Sequence, residues 1–573
     1  MHELVIRGGT VVDGTGAPAR TADVAIDAGV VTEVGDLNGT AAEHEIDADG
    51  LLVTPGVVDV HTHYDGQVTW DPLLTPSSWH GVTTLVMGNC GVGFAPVRPG
   101  SEEWLIQLME GVEDIPGTAL AEGITWGWES FPDYLDVLEQ LPRVLDVGTQ
   151  VPHGAVRAYV MGERGARNEP ATPEDIAEMA RIVKDGIAAG ALGFSTSRTI
   201  MHRAVDGEPV PGTFAAEDEL FGIGRALGDL GAGVFELAPA GVMGEDALAP
   251  EREVDWMRRL AAAIRRPVSF ALLQHNQAPE QWRDLLKLAE EANAEGADLR
   301  PQVAGRPLNM LVGWQTFHPF KDRPTYVRLA ELPLAERIVE LRKPEVKAAI
   351  LAEKPAQLEG ILQFVLTSLD RIYPMGEPPV YEPGPDTSVA AIAAREGRDD
   401  EDVLYDLMLQ HDGRELLMMA LLGYSHGNLE AIKDMLLHPN TALGLSDGGA
   451  HCGVICDAST PTTMLTHFVR DRSAGERIPL EVAVRKMTSD TARLYGLGDR
   501  GVLAPGYKAD VNVIDFDRLN LRLPELVFDL PGGARRLVQR ADGYVATVVS
   551  GEVTFREGEP TGARPGRLVR GAR

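Results

Sequence analysis

The chain has 573 residues, 44% of them hydrophobic and 24% charged, the balance of a globular protein large enough for more than one structural unit. Its net charge of −33 opposes phosphate backbones and anionic lipid, and no window nears the ~20 unbroken apolar residues of a membrane span, so nucleic acid and membrane are poor partners. Three cysteines are too few for a disulfide framework, and the first residues show no basic start leading into an apolar run, so a reducing cytoplasm is the expected compartment.

Residues 4–7, 22–27 and 30–34 are short β-prone runs, alternating in 22–27, punctuated by Gly8-Gly9 and Ala28-Gly29, which predicts a small β unit. After Thr54-Pro55-Gly56 comes a short apolar run, Val57-Val58-Asp59-Val60, that ends in His61-Thr62-His63. Such a run predicts a strand buried on both faces. Residues i and i+2 of a strand share a side, so the two imidazoles leave its C-terminal end together, about 7 Å apart along the backbone. One divalent cation can then take a nitrogen from each at ~2.0–2.1 Å. Apolar runs at 83–87, 191–195, 233–237, 267–273 and 441–446 predict further strands, with amphipathic helices between them. Thr172-Pro173-Glu174-Asp175 opens one such helix as an N-cap followed by proline.

Strand and helix alternating over roughly 400 residues predict an α/β fold, most economically an eight-stranded (β/α)8 TIM-like barrel with its site at the strand C-termini. The interval 300–447 is too long for one connection and carries several prolines, so it should hold the later barrel repeats and an insertion around 300–400 beside the site. Residues 509–515 and 545–553 return to β character. The expected organisation is a barrel over 56–490 and a small β-sandwich formed by 1–55 and 491–573 from both termini.

Three further features belong at the barrel mouth. Gly88-Asn89-Cys90-Gly91 ends the strand after His63, and a thiolate there is a zinc ligand at ~2.3 Å, although a lone cysteine also serves as a small buried hydrophobe. Asp447, in Leu445-Ser446-Asp447-Gly448-Gly449, follows an apolar strand; its carboxylate can bind metal and take a proton from activated water, or simply cap a turn. His451 and Asp457 can support it. A weaker set lies near other strand ends: His153, Arg198 as a fork for a substrate carboxylate, Glu236, Gln274 and His275. Trp126-Gly127-Trp128 is read as packing.

With these residues in view, the chain resembles the metal-dependent amidohydrolase superfamily and, within it, the N-acyl-D-amino-acid deacylase (D-aminoacylase) branch. Pro55-Gly56-Val57-Val58-Asp59-Val60-His61-Thr62-His63 is similar to the superfamily's first-strand metal motif, and Gly88-Asn89-Cys90-Gly91 to the cysteine motif of the branch. Residues 151–157 and 190–197 resemble segments of that branch, Ser446-Asp447-Gly448 matches the last-strand aspartate, and 488–493 and 501–511 look like the return into the β domain. The resemblance implies a metal centre of His61, His63, Cys90 and Asp447, with Asp447 as ligand and proton shuttle. It also exposes departures: where the branch carries histidine ligands after the fifth and sixth strands, this chain has Glu236 and Gln274, with His275 one residue on, and Asn276 near the place of the branch's carboxylate-linked lysine.

The expected function is therefore hydrolysis of a C–N bond, amide or cyclic amide, in a small molecule. It would use one or two divalent ions, zinc first, with Asp447 as general base and then acid. Arg198, Glu236 and His451 are candidates to bind substrate, and a homo-oligomer is compatible with the sequence. The alternatives are an ester or lactone hydrolase using the same site, and a non-catalytic homologue that lost its metal.

Overall fold

The computed structural model describes residues 1–354, 364 and 367–571. Residues 355–363 and 365–366 of the expected insertion, and 572–573 of the terminal β unit, lie outside the described residues.

Eight short runs, nearly all buried, form the barrel: β1 (Val57–Asp59), β2 (Val82–Met87), β3 (Asp146–Pro152), β4 (Gly193–Ser197), β5 (Val234–Ala238), β6 (Val268–Ala271), β7 (Leu299–Ala304) and β8 (Ala442–Gly444). They pair in parallel in chain order. Such sheets need both faces covered, which is why most of the runs are apolar rather than alternating; β3 and β7, which carry Asp146, Gln150, Arg300 and Gln302, are the strands the sequence reading did not name. The ring closes just beyond β1 and β8, where Thr62 bridges Gly448. There His63 N–H donates to the Gly448 carbonyl at 2.8 Å and Asp447 N–H to the His61 carbonyl at 3.1 Å. Closure itself thus brings the histidine pair and the aspartate side by side.

Helices on the outside supply the cover. α1 (Glu102–Glu113) follows β2 and buries Leu105, Leu108, Met109 and Val112. α2 (Pro173–Ala189) starts with a reciprocal cap, Thr172 accepting from Asp175 N–H while Asp175 accepts from the Thr172 backbone, and buries Met179, Ile182, Val183 and Ile187. Such a cap stabilises a helix by about 1 kcal/mol. No helix among the described residues is long and apolar enough to cross a membrane.

The chain termini build a separate nine-stranded sheet. Its seam is the antiparallel pairing of Leu52–Pro55 with Val511–Ile514, which fastens the first strands to the last. Between β7 and β8 the chain leaves the barrel, beginning after 304 and returning only at 442. Within that stretch Leu308–Val312, Leu417–Leu422 and Ile372–Pro374 make a three-stranded antiparallel sheet. One face packs around Trp314, Phe320, Tyr326 and Tyr405, a core separate from the barrel's. The excursion touches the barrel mouth through Leu308, which meets Val242, Met243, Ala271, Leu273, Ala304 and Leu445 in one apolar cluster at the ends of β6, β7 and β8.

Candidate metal centre

The ends of the strands aim the chemistry. His61 and His63, both about 1% exposed, meet edge to face with ring centroids 5.4 Å apart. Gln302, from β7, places Oε1 2.8 Å from His61 Nδ1, and its own amide donates to Ser269 Oγ at 3.0 Å. That bond puts the proton on Nδ1 and leaves the Nε2 lone pair pointing inward. His61 Nε2 lies 3.4 Å from Cys90 Sγ and 3.4 Å from Asp447 Oδ1, and His63 Nε2 lies 3.6 Å from the same Asp447 oxygen. Donor atoms of His61, His63 and Cys90 all fall within 4.8 Å of one another.

Cys90 and Asp447 each sit shortly after a strand with φ of 56° and 47°, in the left-handed region that L residues rarely adopt. Each such residue costs roughly 1–3 kcal/mol, a strain typical of functional sites. Gly91 is required beside Cys90, because a Cβ there would come within 2.9 Å of the Ser197 backbone nitrogen.

Two carboxylates back the cluster. Glu113, the last residue of α1, places Oε1 3.4 Å from His63 Nδ1 and Oε2 3.8 Å from His451 Nε2; the same His451 nitrogen is 3.8 Å from Asp447 Oδ2. Glu236, at the centre of β5, accepts the Cys90 N–H at 3.0 Å and keeps its other oxygen 3.8 Å from His61 Nδ1.

Electrostatics follow from burial and crowding. Burial lowers His61 to about 4, so its ring is neutral and able to act as a ligand. Burial would lower His63 too, but Glu113 and Asp447 outweigh it and lift the ring to about 9. Burial pushes Glu236 up to about 8, and raises Glu113 and the Cys90 thiol. Asp447 resists burial because His63, His61 and His451 hold its carboxyl far below the usual range.

These groups fit a divalent cation. Glu113 Oε1, Glu236 Oε1 and His63 Nδ1 are buried without a hydrogen-bond partner, a costly condition for polar atoms. Among the described residues no lysine or arginine pairs with Cys90, Glu113, Glu236 or Asp447, whose ionic neighbours are histidines. Two imidazole nitrogens, a thiol sulfur and a carboxylate make a donor set suited to zinc.

The structure brings His61, His63, Cys90, Glu236, Asp447 and His451 together and leaves the other candidates elsewhere. Arg198 gives Nε to Glu253 at 2.7 Å and Nη1 to the Ala215 carbonyl at 2.9 Å, so two arms of its fork are held by the protein. Asp457 takes Arg306 at 2.7 Å instead of serving Asp447. Gln274 bonds the Pro279 carbonyl and Ser425 N–H, His275 bonds Gln281, and His153 sits between Thr196 and Glu219. Trp128 packs against Trp126 and Tyr134. Sequence reading missed Glu113, which only the docking of α1 delivers. It also missed Gln302, although a glutamine in a buried strand of a barrel, next to Val303 and Ala304, was a usable signal.

The sequence profile described as the amidohydrolase family matches residues 44–555. A D-aminoacylase of Alcaligenes xylosoxydans xylosoxydans is 27% identical over 578 residues, covering 99% of this chain and 97% of that protein. Among solved structures, a D-aminoacylase with a binuclear metal center superposes with a TM-score of 0.65 at 25% identity, covering 100% of both chains. An N-acyl-D-glutamate deacylase from Bordetella bronchiseptica, complexed with zinc and a phosphonate inhibitor, has the same fold at TM-score 0.64 and 23% identity, covering 99% of both chains.

Proposed function

The chain belongs to the amidohydrolase family, hydrolases of carbon–nitrogen bonds other than peptide bonds, and from that premise we propose that it removes the acyl group from N-acyl-D-amino acids with apolar side chains. In this reading zinc is held by His61, His63, Cys90 and Asp447 in a barrel over 56–490, with 1–55 and 491–573 as its β domain. The observation that carries the reading is the convergence of two histidine Nε2 atoms on Asp447 Oδ1, at 3.4 and 3.6 Å, with Cys90 Sγ 3.4 Å from the first. Buried carboxylate oxygens without a hydrogen-bond partner, on Glu113 and Glu236, support the same conclusion. The D-configuration is suggested by the named activities of the relatives. An apolar side chain suits the rim of Val242, Met243, Ala271, Leu273, Ala304, Leu308 and Leu445. Three buried, unpaired thiols agree with a cytoplasmic setting.

A bound divalent cation supplies Lewis acidity, polarising the carbonyl and acidifying water at neutral pH. Asp447, kept ionised by the histidines around it, accepts one proton of the attacking water as oxygen bonds to the acyl carbon. When the C–N bond breaks, Asp447 returns that proton to the leaving nitrogen, giving a carboxylic acid and an amine. His451, 3.8 Å from Asp447 Oδ2, holds the carboxylate in place between the two transfers. Gln302 and Glu113 orient the imidazoles. An ester or lactone substrate, or a metal-free non-catalytic role, is not favoured by this arrangement and this family.

The test is direct. Zinc-loaded protein should release free amine from N-acetyl-D-leucine at least about 100-fold faster than from its L enantiomer, and chelation should stop the reaction. No release from any N-acetyl-D-amino acid by protein carrying its metal would overturn the substrate assignment.

A further inference from the structure

The loop that follows β4 carries a histidine that none of the foregoing uses. His202 lies in residues 198–216, a connection fixed at several points. Backbone atoms of Arg203 and Ala204 lie against Gly111 of α1, so close that a Cβ on that glycine would meet them at 2.4–2.5 Å. Val210 N–H donates to the His202 carbonyl at 3.1 Å. Ser197, the last residue of β4, places Oγ 3.0 Å from His202 Nδ1. Ser197 in turn abuts Gly91, the neighbour of Cys90, where an added Cβ would lie 2.9 Å from the Ser197 nitrogen. This chain of contacts runs from the cysteine to the imidazole in two steps. The charges of His451, His63, Asp447 and His61 act on the His202 ring, so it lies near the same mouth.

His202 is half-buried, and desolvation lowers it to about 3, so its ring is neutral and carries a single N–H. Its Nδ1 is engaged by Ser197, and among the described residues nothing bonds its Nε2. We propose that His202 is a catalytic residue: Ser197 O–H donates to Nδ1, which fixes the proton on Nε2, and that N–H donates to the substrate's carbonyl oxygen as it becomes an oxyanion. The inference rests on the hydrolase reading above but not on the identity of the acyl-amino acid. A ring held at its own Nδ1, its carbonyl and its loop needs no reorganisation when charge develops, the condition under which one such donor contributes about 10²–10³ in kcat. A metal-ligand role for His202 makes a different prediction, namely loss of zinc on substitution.

The experiment uses full-length zinc-loaded enzyme and the variants His202→Phe, His202→Gln and Ser197→Ala. Zinc content, kcat and KM on N-acetyl-D-leucine, and the Kd of methylphosphonate (a tetrahedral oxyanion with no amino-acid part) are measured for each. His202→Phe should lower kcat about 100-fold and weaken methylphosphonate comparably, with KM changed less than about threefold and zinc unchanged. His202→Gln, which keeps a donor, should recover about tenfold of that loss; Ser197→Ala should fall in between. Unchanged kcat and phosphonate affinity in His202→Phe overturns the proposal, as does loss of zinc in step with activity, or a loss carried by KM alone. If the wild type releases no amine from N-acetyl-D-leucine, the substrate reading falls and the methylphosphonate arm still decides: weakened binding supports the donor, unchanged binding removes it.

Discussion

At the floor of the barrel Asp146 begins β3 and meets Arg500 at 2.6 Å and Lys508 at 3.2 Å, while Arg567 N–H donates to its other oxygen at 2.8 Å. Lys508 also pairs with Asp510, and Arg500 reaches Thr84 at 2.9 Å. At the mouth, Asp447 and Cys90 beyond the strand ends, Glu236 within β5 and Glu113 from α1 crowd around histidines with no lysine or arginine paired to them among the described residues. At the floor the carboxylates of Asp146 and Asp510 each meet a basic side chain, which joins the β domain to the barrel. At the mouth the ionic partners of the carboxylates are histidines. The backbone differs in the same sense: Cys90, Leu445, Asp447 and His451 all have φ near +50° at the mouth. Buried charge therefore fastens one end and prepares the other for chemistry, and a substitution should show which kind it has touched.

The largest effect belongs to Asp447. Asp447→Asn should cut kcat by about 10⁴ while the unfolding midpoint moves little, since the substitution removes the proton acceptor and keeps the shape. Steady-state kinetics beside thermal unfolding will show it, and near-normal turnover would remove the proton-transfer role. Asp146→Asn at the floor should do the reverse. Leaving Arg500 and Lys508 short of an anion costs about 3–5 kcal/mol in urea unfolding, with kcat of the folded fraction intact. A smaller effect concerns Glu382, in the excursion before β8, held by Arg472 at 2.9 and 3.0 Å and by His467 at 2.9 Å. Burial opposes ionisation there, but these partners hold the carboxyl down to about 2. A depressed carboxyl contributes stability that is present above its unfolded pKa of about 4.5 and lost as pH falls toward 2. Glu382→Gln should therefore flatten the acid limb of the stability curve by on the order of 2–3 kcal/mol. The smallest effect sharpens the contrast most. In metal-free protein Glu236→Gln should stabilise by about 1 kcal/mol, because it removes a buried carboxyl whose Oε1 has no hydrogen-bond partner. In zinc-loaded protein the gain should vanish. A clear destabilisation of the metal-free form would mean that Glu236 is already satisfied.

How much of this was legible in the sequence depended on where each residue sits. Six of the eight barrel strands were readable as short apolar runs at helical intervals, and His61, His63, Cys90 and Asp447 because each stands at or shortly after the end of such a run; β3 and β7 were not named, since Asp146, Gln150, Arg300 and Gln302 interrupt their apolar character. Glu236 stood out as a carboxylate in place of an expected histidine. Glu113 and His202 were not legible: one ends a helix and the other hangs from a loop, and their approach is set by packing at Gly111 rather than by periodicity. Arg198 shows the same limit: its position at a strand end is legible in the sequence, but the hold of Glu253, from a distant helix, on its Nε is not. The excursion was seen in outline only, since its three-stranded sheet pairs segments more than a hundred residues apart, with Leu308–Val312 against Leu417–Leu422.

The central claim is that two imidazoles, a thiolate and a carboxylate share one cation. X-ray absorption at the zinc edge on reconstituted protein tests it most directly. The account predicts about one tightly bound zinc in this pocket, nitrogen and oxygen scatterers at ~2.0–2.1 Å and one sulfur at ~2.3 Å that disappears in Cys90→Ser. Zinc binding well below one per chain, or a coordination shell that never contains sulfur, would contradict it.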